Sequence, residues 1–280
     1  MSLIREGWLR WWFASPDPRV LALLRIGYGL LGLWTVFVLW PDRHALLGDP
    51  GVFPLEARDY NWTRPSVFAL GLDPTPLLLA FVASSAALVA GAFSRVAMLV
   101  SWVFVVSVAH RNGLWTDGSD TILRVFGLYM LFLPLGRTWS VDSLWRPGTS
   151  PISGWPLRLF QLNVCILYVK TGLIKAVHNN WQSGDAVFYA LASPTYWRFP
   201  MDGLLRVEAF QHLTTAMTWG TLVFEIGFPL VFLSRLRRPW LLVGLGLHLG
   251  IFAFMDLGAF SECILWTYLA FLRFGESRLK

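Results

Sequence analysis

"LRLFQLNVCILYVKTGLIKAV", residues 157–177, is long and apolar enough to cross a bilayer, yet it carries Arg158, Lys170 and Lys175. A hydrocarbon core about 30 Å thick asks for roughly 20 mostly apolar residues in a helix. Comparable runs occur at about 20–40, 76–93, 213–233 and 239–255. Shorter ones, at about 96–109, 121–135 and 258–273, span only with tilt or local thinning of the bilayer. Proline and glycine mark the joints, as in "PDRHALLGDPGVFP" (41–54) and "RPGTSPISGWP" (146–156). These runs predict an all-α polytopic membrane protein of about eight transmembrane helices, with six to nine admitted by the shorter runs.

Composition agrees. Hydrophobic residues make up 55% of the 280 and charged residues 14%, against about 25% charged in soluble domains. The 16 tryptophans suit a membrane–water interface. The formal net charge is +6, but no basic block with interleaved aromatics forms a nucleic-acid face. Cys165 and Cys263 both fall in apolar runs and read as small buried hydrophobes. No phosphate-binding loop, dinucleotide fingerprint or metal-ligand spacing is present, so no metal site is expected. "NWT" at Asn61 matches a glycosylation acceptor, a triplet common by chance.

Residues 1–19 lack the pattern of a cleaved signal peptide and read as an amphipathic interfacial segment. Residues 20–273 form the transmembrane domain and 274–280 a cytoplasmic tail. Eight spans put both termini on one side, with Arg5, Arg10, Arg19, Arg95, Arg137, Arg235, Arg237, Arg238 and Arg273. The positive-inside rule makes that side the cytoplasm. Two loops rich in aromatics and proline, about 41–75 and 178–212, then face outward as caps. Membrane lipids are the implied surroundings.

Polar residues at membrane depth are costly and therefore informative. In the run 157–177, Gln161, Tyr168, Gly172 and Lys175 recur at helical spacing on one face, while Lys170 falls on another. Lys175 reads in two ways. It can snorkel to the outer surface and cap its helix, or it can be desolvated enough to act as a general base. Glu225 sits beside Gly227 and Pro229 in "LVFEIGFPLVF" (222–232) and needs a partner, for which Arg25, Arg124 or a lysine qualifies. Arg25 and Arg124 each lie one turn into an apolar run, where each can snorkel to the surface or partner an acid. His248 stands alone in its run, either as a hydrogen-bonded packing residue or as a catalyst. Glu262 falls at the level of Lys175, which makes a Lys175–Glu262 or Lys175–His248 interaction a consequence to look for.

Four stretches in this order and spacing resemble a known family: "VLALLRIGYGLLGLW" (20–34), "SDTILRVFGLYMLFLPLGRTWSVDSL" (119–144), "LYVKTGLIKAVHNNWQSGDAVFYAL" (167–191) and "LHLGIFAFMDLGAFS" (247–261). They are similar to the HTTM family, the membrane domain of vitamin K-dependent γ-carboxylase and its bacterial relatives. The resemblance runs over roughly 19–273. It implies that Lys175, three residues after Gly172, is the base that deprotonates a reduced quinone, and that His248 belongs to the same membrane core. Trp181 and Gly184 match the tryptophan and glycine that follow the base.

The resemblance thus puts Lys175 and His248 in catalytic roles, with Tyr168, Gly172, Trp181, Glu225, Glu262 and Arg124 around a ligand. Two features depart from the carboxylase. Its large extramembrane portion has no counterpart within these residues, and a further carboxylase histidine is replaced by Ser119 or Asp120. Small bacterial relatives are a closer likeness, one of which acts in maturation of a sporulation-delaying peptide toxin with a small partner protein. The expected role is modification or maturation of a secreted or membrane-associated peptide at the bacterial inner membrane. The alternative is a non-enzymatic chaperone, assembly factor or immunity partner for such a peptide.

Overall fold

The computed structural model describes residues 2–55, 64–111, 113, 116–145 and 151–274. The Asn61 triplet and residues 275–280 of the tail lie outside the described residues. The longer helices are Ser2–Phe13 (α1), Pro18–Leu39 (α2), Pro74–Ala90 (α3), Ser94–Arg111 (α4), Gly118–Met130 (α5), Trp155–Ala176 (α6), Glu208–Ile226 (α7), Ser234–Phe254 (α8) and Phe260–Tyr268 (α9). Among the described residues the only β pairing is an isolated bridge between Trp197 and Met255.

Three of these helices, α2, α4 and α6, are long and apolar enough to cross a membrane. The run 96–109 looks short as a sequence because polar residues flank it. The helix absorbs Ser94, Arg95, His110 and Arg111 and reaches 18 residues. α7 and α8 are not among the three. The run 213–233 is interrupted, since α7 ends at Ile226 and the chain continues as a 3-10 helix over Phe228–Phe232. Pro229 explains the break, because it has no N–H to give an α-helical bond. α8 starts five residues before its apolar run, taking in Arg235, Arg237 and Arg238.

The chain divides into two compact units, residues 1–160 with 272–280, and residues 161–271. In the first, α2 starts on Asp17, whose carboxylate accepts the Arg19 amide, with Pro18 in the first turn. α3 repeats the device with Asp73 and Pro74. The Thr75 amide holds the Asp73 carboxyl below the usual carboxylate range. A capping box of Asp117 and Asp120 starts α5.

α2 and α3 pack closely because Gly29 leaves room for a backbone: a Cβ there would lie 2.7 Å from the Ser85 carbonyl oxygen. Small residues at such crossings let helices approach where lipid offers no hydrophobic drive. Gly29→Leu should therefore destabilise the first unit by about 1–3 kcal/mol, read as an earlier thermal transition in micelles. Polar bonds add to this packing. Ser101 donates to Ser84 at 2.9 Å, and the Trp102 indole donates to the Arg124 carbonyl at 2.9 Å.

Two buried arginines serve the same unit. Arg111 donates to the carbonyls of Leu47, Gly48 and Phe53 and so ties down part of the 41–55 segment. Arg25, fully buried, donates to the Trp139 carbonyl at 2.5 Å, so it neither snorkels nor forms a direct ion pair among the described residues. Asp142 caps α4 by accepting the amides of Phe93 and Ser94 at 2.7 and 2.8 Å.

In the second unit, the segment between α6 and α7 folds into short helices around Leu191, Met201 and Leu205, with Phe210 and Met255 packed against them. Gln161 donates to the Ala270 carbonyl at 2.6 Å. Cys165 and Cys263 are buried and unbonded to each other. Large apolar side chains remain exposed on the helices of both units, among them Phe37, Val96, Ile166, Val223 and Leu242. Hydrocarbon is the solvent that suits such surfaces, and the chain is a membrane protein.

Candidate functional site

The polar face of α6 lies within the second unit, where it meets α7, α8 and α9. Tyr168 is buried, its ring stacked on Phe228 with centroids 4.1 Å apart and set edge-on to Phe224 at 5.4 Å. Its hydroxyl lies 2.7 Å from His248 Nε2 and 2.6 Å from the Tyr268 hydroxyl. One proton cannot serve both partners as donor. Either Tyr168 donates to His248 and accepts from Tyr268, or it accepts from a protonated Nε2 and donates to Tyr268. With a neutral imidazole, Nδ1 carries the ring proton in the first arrangement and is a free acceptor in the second.

Two turns along α6, Lys175 forms an ion pair with Glu225 Oε1. The Lys175 side chain is 29% exposed and that of Glu225 8%, so the carboxylate is the more desolvated partner. The ammonium also sits 5.0 Å from the centre of the Trp181 ring, a cation–π contact. Gly172 makes the ion pair reachable. A Cβ there would lie 2.9 Å from Ile226 Cγ1 and 3.0 Å from Glu225 Cβ, so only glycine lets α6 approach α7 this closely. Its role is therefore to set the distance between two helices.

Hydrogen-bonding capacity is left over. Glu225 Oε2, His248 Nδ1 and Glu262 Oε2 are buried without a partner among the described residues. An unsatisfied buried polar atom costs about 1–3 kcal/mol; these three belong to the second unit, and Arg25, Ser85 and Ser94 carry others in the first.

The expected residues sort as follows. Tyr168 and His248 are brought together, and so are Lys175, Glu225 and Trp181, with Gly172 beneath the ion pair. The Lys175–Glu262 and Lys175–His248 contacts do not form; α7 passes beside Lys175 and supplies Glu225 instead. Arg124 belongs to the first unit, where its guanidinium turns back onto its own helix, to the Asp120 carbonyl and the Thr121 hydroxyl. It is not the partner of Glu225. Lys170 is exposed on a separate face of α6. Tyr268 is the member that sequence reading missed. Its only signal is a tyrosine in an apolar run, twenty residues after His248.

No curated protein matches the chain. No solved structure matches it either. A family match does: the description "HTTM domain" fits residues 13–275, nearly the whole chain. That span takes in all of the second unit, most of the first and every residue of the site. The chain belongs to the HTTM domain family, which is linked to membrane γ-carboxylase-like proteins.

Proposed function

We propose that the second unit is an active site in which Lys175 removes a proton from a hydroxyl-bearing, bilayer-soluble cofactor, in the service of modifying a secreted or membrane-associated peptide. The observation that carries this reading is the half-buried Lys175–Glu225 ion pair, in the same unit as a tyrosine–histidine network whose His248 Nδ1 has no partner among the described residues. Glu225 accepts the lysine proton, leaving an amine lone pair free to take the next one. Transfer within the pair exchanges two buried charges for none, which removes their desolvation cost.

A reduced quinone fits the residues present. Glu225 Oε2 is an acceptor in its carboxylate form, and His248 Nδ1 is a donor or an acceptor according to the Tyr168 proton. A hydroxyl satisfies either state. When bound, such a cofactor supplies an ionisable hydroxyl and a pair of electrons. Tyr168 and His248 orient it, Trp181 covers the lysine, and Phe224 and Phe228 exclude water.

In this proposal the protein sits in a bacterial inner membrane with eight spans, both termini in the cytoplasm, and the 41–75 and 178–212 loops as outward caps. The peptide and a small partner protein are supplied by analogy with the small relatives that mature a peptide toxin. The test is the mass of the peptide secreted by producing cells. A mass change that Lys175→Ala abolishes and Lys170→Ala leaves intact supports an enzyme. A peptide whose mass never changes but which co-purifies with the protein makes it a chaperone or immunity partner.

A further inference from the structure

The first unit contains a cavity of about 270 Å³ between the end of α5 and the start of α6, lined by Arg95, Phe132, Arg137, Ser153, Trp155 and Pro156 among others. It takes no part in the Lys175 site. Among the described residues no acidic side chain lines it, and neither Arg95 nor Arg137 donates a hydrogen bond or makes an ion pair. Three other arginines of this unit are engaged: Arg19 with Asp17, Arg25 with Trp139, and Arg158 with the Trp11 carbonyl. Two unengaged guanidinium groups on one concave surface are equipped to grip a planar or tetrahedral oxyanion.

Its surroundings select the kind of anion. α1 carries a cluster of Trp8, Trp11 and Trp12, an interfacial signature. That helix end is pinned to the cavity's wall, since Ile152 donates to the Ser15 hydroxyl at 3.3 Å and Arg158 to the Trp11 carbonyl at 2.9 Å. A cavity tied to an interfacial helix is within reach of lipid headgroups. One lining residue, Phe132, is 58% exposed, and Val96, the neighbour of Arg95, is 63% exposed. Phe132, on the same wall as the two cationic groups, thus offers apolar surface to an acyl chain. The α6 N-terminus at Trp155 and Pro156 adds its positive dipole end.

We infer that this cavity binds the phosphodiester headgroup of an anionic phospholipid, with Arg95 and Arg137 on the phosphate and Phe132 beside the acyl chain. Basic pockets at the cytoplasmic ends of membrane helices serve anionic lipids in this way.

Titration of the detergent-purified full chain with phosphatidylglycerol and with phosphatidylcholine, followed by native mass spectrometry, tests it. Phosphatidylglycerol should bind more tightly. Each arginine near an anionic headgroup is expected to contribute about fivefold, so Arg95→Gln/Arg137→Gln should weaken phosphatidylglycerol binding about 25-fold. Arg235→Gln/Arg238→Gln, at two exposed arginines of α8, should leave it unchanged. Should the double variant fail to fold, Arg95→Gln alone, at an exposed side chain, decides by its fivefold loss. Equal binding of the two lipids, or an equal loss in the α8 control, overturns the inference. Displacement of the lipid by millimolar inorganic phosphate would instead make the cavity a site for free phosphate.

Discussion

Lys175→Met is expected to lower turnover by about 10²–10⁴-fold, the usual worth of a positioned general base. The substitution also leaves Glu225, with a side chain only 8% exposed, as an uncompensated buried charge. Breaking a buried pair in this way costs about 3–5 kcal/mol, so the single variant confounds chemistry with folding. Lys175→Met/Glu225→Gln separates them. Replacing both partners removes the stranded charge, and the thermal transition in micelles should return most of the way to wild type. Turnover should not return. A double variant that recovers both would make the ion pair structural and remove Lys175 from the chemistry.

Tyr168→Phe is expected to have the second largest effect. The ring is isosteric and can keep its stacking on Phe228 and its edge contact with Phe224. What disappears is one hydroxyl that serves both His248 and Tyr268. Each group left unsatisfied costs about 1–3 kcal/mol, and His248 then lacks partners at both ring nitrogens, Nδ1 having none to begin with. His248→Leu added to Tyr168→Phe should cost much less than the sum of the two, because the same bond is removed twice. Thermal denaturation of the two single variants and the double variant measures the coupling. Additive losses would mean that the network is no unit.

Sequence periodicity made much of this legible. α6 fits its 157–177 run within two residues at the start and one at the end, and Tyr168, Gly172 and Lys175 fall on one face as 3.6-residue periodicity demands. Which neighbour each residue meets depends on helix crossings, and no local pattern records those. Lys175 could be placed level with Glu262 by counting along the spans, but Gly172 brings α7 closer, and Glu225 takes the bond. Arg111 shows the same limit: a charged residue at a helix end reads as surface, whereas it is buried among the carbonyls of Leu47, Gly48 and Phe53. Tyr268 was hidden because an apolar run conceals a hydroxyl whose partner, Tyr168, lies a hundred residues away in the sequence.

The central claim is that the Lys175–Glu225 pair and the Tyr168–His248 network receive a hydroxyl-bearing cofactor. The most direct measurement is the affinity of the purified protein, under anaerobic conditions, for a reduced naphthoquinone and for its oxidised form. The two differ in whether they carry hydroxyl donors, and one added net hydrogen bond is worth about 1 kcal/mol or somewhat more, so the reduced form should bind about tenfold more tightly. That preference should vanish in Lys175→Met/Glu225→Gln. Equal affinity for both forms in the wild-type protein, or a preference untouched by the double variant, contradicts the account.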